Sequence, residues 1–443
     1  MNLDDVVAHL GEPDVKEALR AGWEESVATM PRGPLDFLDV ANVRQWRRGC
    51  GLGDEYEAPL ESAARQVAGD PVLRLLAWHG WRMAYRTPEI YGFHAWPKLN
   101  RVLRGEAWFF YLLLALASVP LIAERHRSMG VPERVTRGMI ADVPRKCQQT
   151  QIGQERLLGM HPGLIYWFQH YVYGRAFTLG RLQFMLGTYD GCFEAYRHDA
   201  SGQTVAIARA GAAFNKEGLM DVSPPEGGGP GPDASGPGAV RLSSPSKPPP
   251  GWTAQRRDDA THVIGQAISP LGLAVPEDVR LPRTSWRRVL APGETILEIH
   301  IPPGGGMTPE ACQASLNEAV GFFRKHFPDR AFTVFTCLSW ICDPSMPKIL
   351  PATSNLVRFQ KEGYLFPLPC SDKWVNQFIF GHRPFDPATA PRDTSVQRAF
   401  LDLIGRGGMA RVGGMFLLVE DLPRFGSHWY RSGWSGGGPP QLP

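Results

Sequence analysis

Thr295-Ile-Leu-Glu-Ile-His-Ile301, then Pro302-Pro-Gly-Gly-Gly-Met-Thr-Pro309 and the stretch 310–326, reads as strand, glycine loop and helix. Leu297, Ile299 and Ile301 alternate with Glu298 and His300. That period of two puts successive side chains on opposite faces of a strand. Gly304, Gly305 and Gly306 let the backbone turn tightly and come close to a ligand. Thr308 suits an N-cap, Pro309 the first helical position, and Glu310 the positive end of the helix dipole. A glycine loop opening onto a helix N-terminus aims free N–H groups and the dipole at one spot, which makes it an anion site. Gly304, Gly305, Gly306, Met307 and Thr308 are therefore the candidate phosphate cradle. Glu298 and His300 share one strand face just before it and are candidate acid–base groups. The competing reading is a plain strand–helix turn. The loop is neither a Walker loop, since no Gly-Lys-Ser/Thr follows, nor a dinucleotide fingerprint.

A chain of 443 residues suggests two domains, and 43% hydrophobic with 21% charged residues is the composition of a soluble globular protein. A net charge of +3, with no dense Lys/Arg run interleaved with aromatics, argues against a nucleic-acid partner. The cysteines, Cys50, Cys147, Cys192, Cys312, Cys337, Cys342 and Cys370, are odd in number and form no CxxC pair. A zinc ribbon or disulfide framework is not expected, no metal site is expected, and a reducing cytoplasm is the simpler location. The acidic start Met1-Asn2-Leu3-Asp4-Asp5 has no signal-peptide core. The uncharged run 107–123 is short for a spanning helix and contains Pro120, so a buried helix is expected there rather than a membrane span.

Around these sites the chain changes character. Residues 60–67, 72–84, 97–104, 107–124 and 132–146 carry apolar residues at helical spacing, and Asp70-Pro71 opens one of them as cap and first turn. Residues 176–186, 191–198, 204–210 and 213–219 are short and turn-bounded and read as strands. Residues 223–251 are dominated by Pro, Gly and Ser and cannot build a core. The strands on either side look like parts of one sheet, so this segment reads as a surface insertion. Beyond it come a helical turn at 284–290, a strand at 331–342, a helix at 354–363, and strands at 375–380 and 414–419. The organisation expected is a helical domain at 1–172, a mixed domain at 173–430 and a disordered tail at 431–443. In the strand at 331–342, Cys337 and Ser339 share one face. Each is a candidate nucleophile or proton donor, or a small buried residue. Asn355 is a candidate helix cap or ligand-binding amide.

Strand, glycine loop and helix, followed by a strand and an Asn-initiated helix ending in Gly363-Tyr364, resembles the second half of the GNAT superfamily of acyl-CoA-dependent N-acyltransferases. The phrases GRLQF (180–184), ISPLG (268–272), EIHIPPGGG (298–306) and TCLSW with LPATSNLVRFQ resemble more closely a bacterial acyltransferase family that joins a helical N-terminal domain to a GNAT-like C-terminal domain. The resemblance implies an α+β fold, helical domain plus GNAT-like mixed-sheet acyltransferase domain, with two strands splayed into a V. It implies an acyl donor, either acyl-CoA or the phosphopantetheine thioester of an acyl carrier protein, an amine substrate and no metal. Glu298 or His300 would take the amine's proton, and the N–H groups of Gly304 to Thr308 would hold phosphate. A backbone N–H of the 331–342 strand would polarise the thioester carbonyl. Asn355 and Tyr364 would meet the pantetheine arm or the leaving sulfur. The superfamily loop begins with Gln or Arg, whereas Pro302-Pro303 here remove two N–H donors. Two other readings remain open at this point: an acyl-enzyme on Cys337 with His300, as in a thioesterase or ping-pong transferase, and a non-catalytic acyl-CoA or acyl-carrier binding module.

Overall fold

The computed structural model describes residues 1–87, 89–153, 157–220, 251–369, 372–380, 385–432, 434, 440 and 442. The insertion expected at 223–251 lies outside the described residues except for Gly251, as do Cys370 and much of the tail expected at 431–443. The chain divides into two compact units, Met1–Thr178 and a second that begins at Leu179.

The first unit is helical. Asp70 accepts from the N–H groups of Val72 and Leu73 at 2.8 and 3.1 Å, and Pro71 follows it. The helix Pro71–Tyr85 thus begins where the cap chemistry places it. The helix expected at 60–67 runs Glu57–Gly69. Three other expectations are corrected. The run at 107–124 is two helices, Ala107–Leu116 and Ser118–Ser128, parted at Ala117 just before Pro120, which cannot donate to the preceding turn. Every residue from Phe109 to Ala117 is buried, which is why the run carries no charge. By length and composition alone Asn100–Ser128 could cross a membrane, yet 72% of its most apolar window is buried inside the protein. The stretch 132–146 is likewise split, into Glu133–Ile140 and Asp142–Gly153, with Pro144 at the start of the second. The stretch 97–104 shrinks to Asn100–Leu103, because Leu99 sits at φ 60°, which ends any helix. Leu3–Leu10, Val40–Cys50 and Ile165–Val172 are further helices.

The strands are β1 (Ala176–Leu179), β2 (Leu182–Thr188), β3 (Phe193–His198), β4 (Thr204–Ala208), β5 (Ala213–Asn215), β6 (Gly251–Thr253), β7 (His262–Ile268), β8 (Ala274–Pro282), β9 (Trp286–Leu290), β10 (Thr295–His300), β11 (Val334–Ser339), β12 (Tyr364–Pro367) and β13 (Gly413–Leu418). They form a six-stranded sheet ordered β1-β2-β10-β11-β13-β12, a five-stranded sheet ordered β8-β7-β4-β3-β9, and the pair β5-β6. In the larger sheet β10 and β11 run parallel, joined by the helix Pro309–His326, while β2, β12 and β13 pair antiparallel with their neighbours. The strands that flank the insertion, β5 and β6, pair with each other. Farther out β4 pairs with β7, Ala206 with Ile268 and Ile207 with Ala267, so the five-stranded sheet takes strands from both sides of it.

Four strand-level expectations are corrected here. The strand at 176–186 is a hairpin, β1 and β2, turned at Gly180, whose φ of 65° suits glycine. The helical turn at 284–290 is strand β9, which pairs along β3 and sets Trp286 5.1 Å from the His198 ring. The strand at 375–380 is the helix Asp372–Phe380. Val375 and Ile379, four apart, sink into one core with Phe400 and Leu401 of the helix Ser395–Gly405, and a short apolar run does not reveal which period it follows. The strand at 331–342 keeps only Val334–Ser339 before a 3₁₀ turn at Trp340–Cys342.

Candidate active site

Register decides which side chains can meet, because residues paired across a sheet share a face and neighbours alternate. Glu298 pairs with Met185 on one side and Thr336 on the other, and His300 pairs with Gln183. One face therefore carries Gly187, Glu298, His300, Thr336 and Leu338. The opposite face carries Leu297, Ile299, Phe335, Cys337 and Ser339. The helix Pro309–His326 lies over this opposite face, where Phe323 meets Phe332 and Phe332 meets Phe335 at centroid distances of 6.4 and 6.0 Å. The five-stranded sheet covers part of the first face, where Phe193 packs on Phe366 and Phe416 at 4.8 and 5.5 Å.

The parallel pairing of β10 and β11 ends at Glu298 and Thr336, although β10 continues to His300 and β11 to Ser339. The two strand ends thus part at the candidate acid–base residues. Glu298 Oε2 and His300 Nε2 lie 3.4 Å apart, with side chains 14% and 20% exposed. The Glu298 carboxylate folds across Gly187: a Cβ placed there would stand 2.2 Å from Oε1. Gly187 is thus part of the site, and nothing in its own stretch of sequence marks it.

Cys337 and Ser339 are not brought to this pair. Cys337 is 2% exposed on the other face, and its carbonyl receives the Cys342 thiol at 3.7 Å. Burial, followed by the neighbouring Cys337 thiol, pushes the Cys342 thiol well above its ordinary range. The Ser339 hydroxyl accepts from the Ile341 N–H at 3.3 Å and caps the 3₁₀ turn. The acyl-enzyme reading, which needs Cys337 beside His300, is therefore corrected: a sheet lies between them. Tyr364 is also held elsewhere. Fully buried, its hydroxyl donates to the Ile268 carbonyl at 2.5 Å and accepts from the Ala206 N–H at 3.1 Å, tying β12 to the second sheet.

The loop after β10 is open. Gly304, Gly305 and Gly306 are exposed, and Met307 is buried as its anchor. Thr308 accepts from the Ala311 N–H at 3.3 Å, making the expected cap. The Asn355 amide reaches the loop: a Cβ on Gly306 would stand 3.7 Å from its Nδ2. Asn355 begins the helix Asn355–Glu362, and Ser354 occupies the cap position. The Glu310 carboxyl is held below its usual range by its own N–H, by Thr308 and by the charge of Arg358. Arg181, from the turn between β1 and β2, donates from Nε to the Gly305 carbonyl at 2.7 Å and from Nη2 to the Gly304 carbonyl at 2.9 Å. Gly180-Arg181 stands inside the quoted phrase GRLQF, but its link to a loop far along the chain has no local signal. Among the described residues no group of three His, Cys, Asp or Glu side chains could hold a metal ion.

Parallel strands parted at a carboxylate and a histidine, with a glycine loop leading into a capped helix, are the arrangement that the GNAT resemblance implies. The GNAT-like C-terminal domain family matches residues 176–417, and the chain belongs to it: it is a GNAT-like acyltransferase. Solved structures agree in fold. An acyltransferase in complex with decanoyl-CoA and teicoplanin is 17% identical, with a TM-score of 0.61 over 95% of this chain and 100% of that one. A mutant acyltransferase in complex with octanoyl-CoA is 17% identical, with a TM-score of 0.61 over 94% and 99%. An acyltransferase in complex with CoA and 10C-teicoplanin is 17% identical, with a TM-score of 0.59 over 95% and 100%. No curated protein sequence matches the chain.

Proposed function

We propose that the chain moves an acyl group from acyl-CoA to an amine by direct transfer. The observation that carries this is the Glu298–His300 pair, 3.4 Å apart where β10 parts from β11, immediately before the exposed glycine loop. An amine attacks only when neutral, so the site needs a group to receive its proton. The nitrogen adds to the thioester carbon and its proton passes to Glu298 or His300, directly or through one water. The carbon–sulfur bond then breaks, and the thiolate leaves and takes up a proton. A backbone N–H at the freed end of β11 would stabilise the oxyanion that forms between these steps. The N–H groups of Gly305 to Thr308, with the helix dipole behind them, would hold the donor's phosphates, and Asn355 would reach the pantetheine arm. Similar structures hold CoA and its acyl thioesters, which supports CoA over an acyl carrier protein as donor. They also hold teicoplanin, which supports an acceptor amine on a small molecule rather than on a protein.

Acyl transfer to a panel of amines tests this. The Glu298→Gln, His300→Gln double variant should lose turnover and keep its dissociation constant for acyl-CoA. Undiminished turnover overturns the assignment. Tight acyl-CoA binding with no transfer by the wild type would leave a binding module instead.

A further inference from the structure

We infer that Arg181 is the latch that turns the glycine loop's N–H groups toward the donor, and so sets the preference for a donor with a pyrophosphate. The inference rests on the reading of that loop as the phosphate cradle.

Arg181 holds two successive carbonyls, those of Gly304 and Gly305, at 2.9 and 2.7 Å. Among the described residues every peptide bond is trans, and a trans peptide points its N–H away from its own C=O. With both carbonyls drawn to the guanidinium, the N–H groups of Gly305 and Gly306 face the other way, side by side. A planar guanidinium with several donors in fixed geometry can hold two carbonyls at once, which an ammonium does less well. Its positive charge behind the two peptides also reinforces their positive ends. Gly304, at φ 105°, adopts a backbone that suits only glycine.

The latch is itself anchored to the helix that the loop opens. Arg181 N–H donates to the Ser315 hydroxyl at 2.7 Å and Leu182 N–H to the same oxygen at 3.3 Å, while Ser315, fully buried, donates to the Ala311 carbonyl at 3.0 Å. Gly180 makes this approach possible, since a Cβ there would stand 2.6 Å from Ser315 Oγ. The β1–β2 turn, the loop and the helix N-terminus are thus one unit. Pro302-Pro303 leave the loop start without donors, and Arg181 supplies order from another strand.

The test is titration calorimetry of the full chain with CoA and, separately, with pantetheine, which lacks the phosphates. Wild type should bind CoA more tightly than pantetheine. Arg181→Ala should weaken CoA about 10-fold, the scale of a charged hydrogen-bonded contact, and leave pantetheine unchanged. Arg181→Lys, which keeps the charge but not the two-carbonyl grip, should behave like Arg181→Ala. Should Arg181→Ala fail to fold, the lysine variant alone decides: CoA affinity equal to wild type overturns the latch, and a loss confined to CoA supports it. Wild type that binds CoA no more tightly than pantetheine overturns the phosphate-loop reading instead. Wild-type discrimination that survives in Arg181→Ala overturns only the role of Arg181.

Discussion

The two faces of the β10–β11 pair are built from the same strands and have opposite characters. One carries Glu298 and His300, partly buried and adjacent to the exposed loop. The other carries Cys337 beside Cys342, sealed under a helix. A thiol, a hydroxyl, an imidazole and a carboxylate lie within a short span of sheet, yet only two of them can act together. The difference comes from strand parity and from which face a neighbouring layer covers. Nucleophile-type residues near a site are candidates only once their face is known.

The comparison can be broken most forcefully at the open face. Because Glu298 and His300 lie 3.4 Å apart, they should act as a unit. Glu298→Gln and His300→Gln should each lower kcat about 100-fold or more, and the double variant should be no worse than the poorer single one. Steady-state kinetics around this double-mutant cycle measures it, and additive losses would separate the pair. A smaller effect is expected at Gly187, where an added Cβ meets the Glu298 carboxylate. Gly187→Ala should lower kcat about 10-fold while CoA affinity holds, since a displaced catalytic group loses rate steeply with distance. Tyr364→Phe leaves the Ile268 carbonyl and Ala206 N–H without their partner inside the protein. Denaturant titration should show a loss of about 1–3 kcal/mol, with kcat unchanged. The smallest effect belongs to the sealed face. Cys337→Ala should leave kcat at the wild-type value. Cys342, its thiol pushed up by burial, should resist iodoacetamide at neutral pH until the protein unfolds. An acyl adduct on Cys337 in intact-mass spectra would reverse the ranking.

The sequence was most legible where signals are local. Alternation at 295–301 and the Thr308-Pro309 start both stand in the structure as β10 and a capped helix. The Asp70-Pro71 helix start is the same case. Signals failed where partners are distant in the chain. Gly187 matters only because β2 lies antiparallel beside β10, and Arg181 only because its turn rests on Ser315. The apolar run around Gly180 hid a hairpin, since one glycine among strand-forming residues reads equally as a bulge. The stretch at 375–380 became a helix because its neighbours offered a core at a four-residue spacing, and such packing overrides the preference of a short run. Tyr364 carried a family expectation that its burial redirects to structure.

The small sheet of β5 and β6 has a practical use. Phe214 faces Trp252 across it, with rings 4.9 Å apart, and Asn215 pairs with Gly251, so the chain departs and returns through one hydrogen-bonded clasp. The entropy of closing a loop grows only with the logarithm of its length, so added length between the jaws of such a clasp costs little stability. Residues 216–220 belong to the clasp, since the Gly218 carbonyl accepts from the Ala274 N–H at 2.9 Å and Met220 is buried. A fluorescent protein or affinity handle inserted after Met220 should therefore ride on this enzyme as cargo while both jaws stay shut.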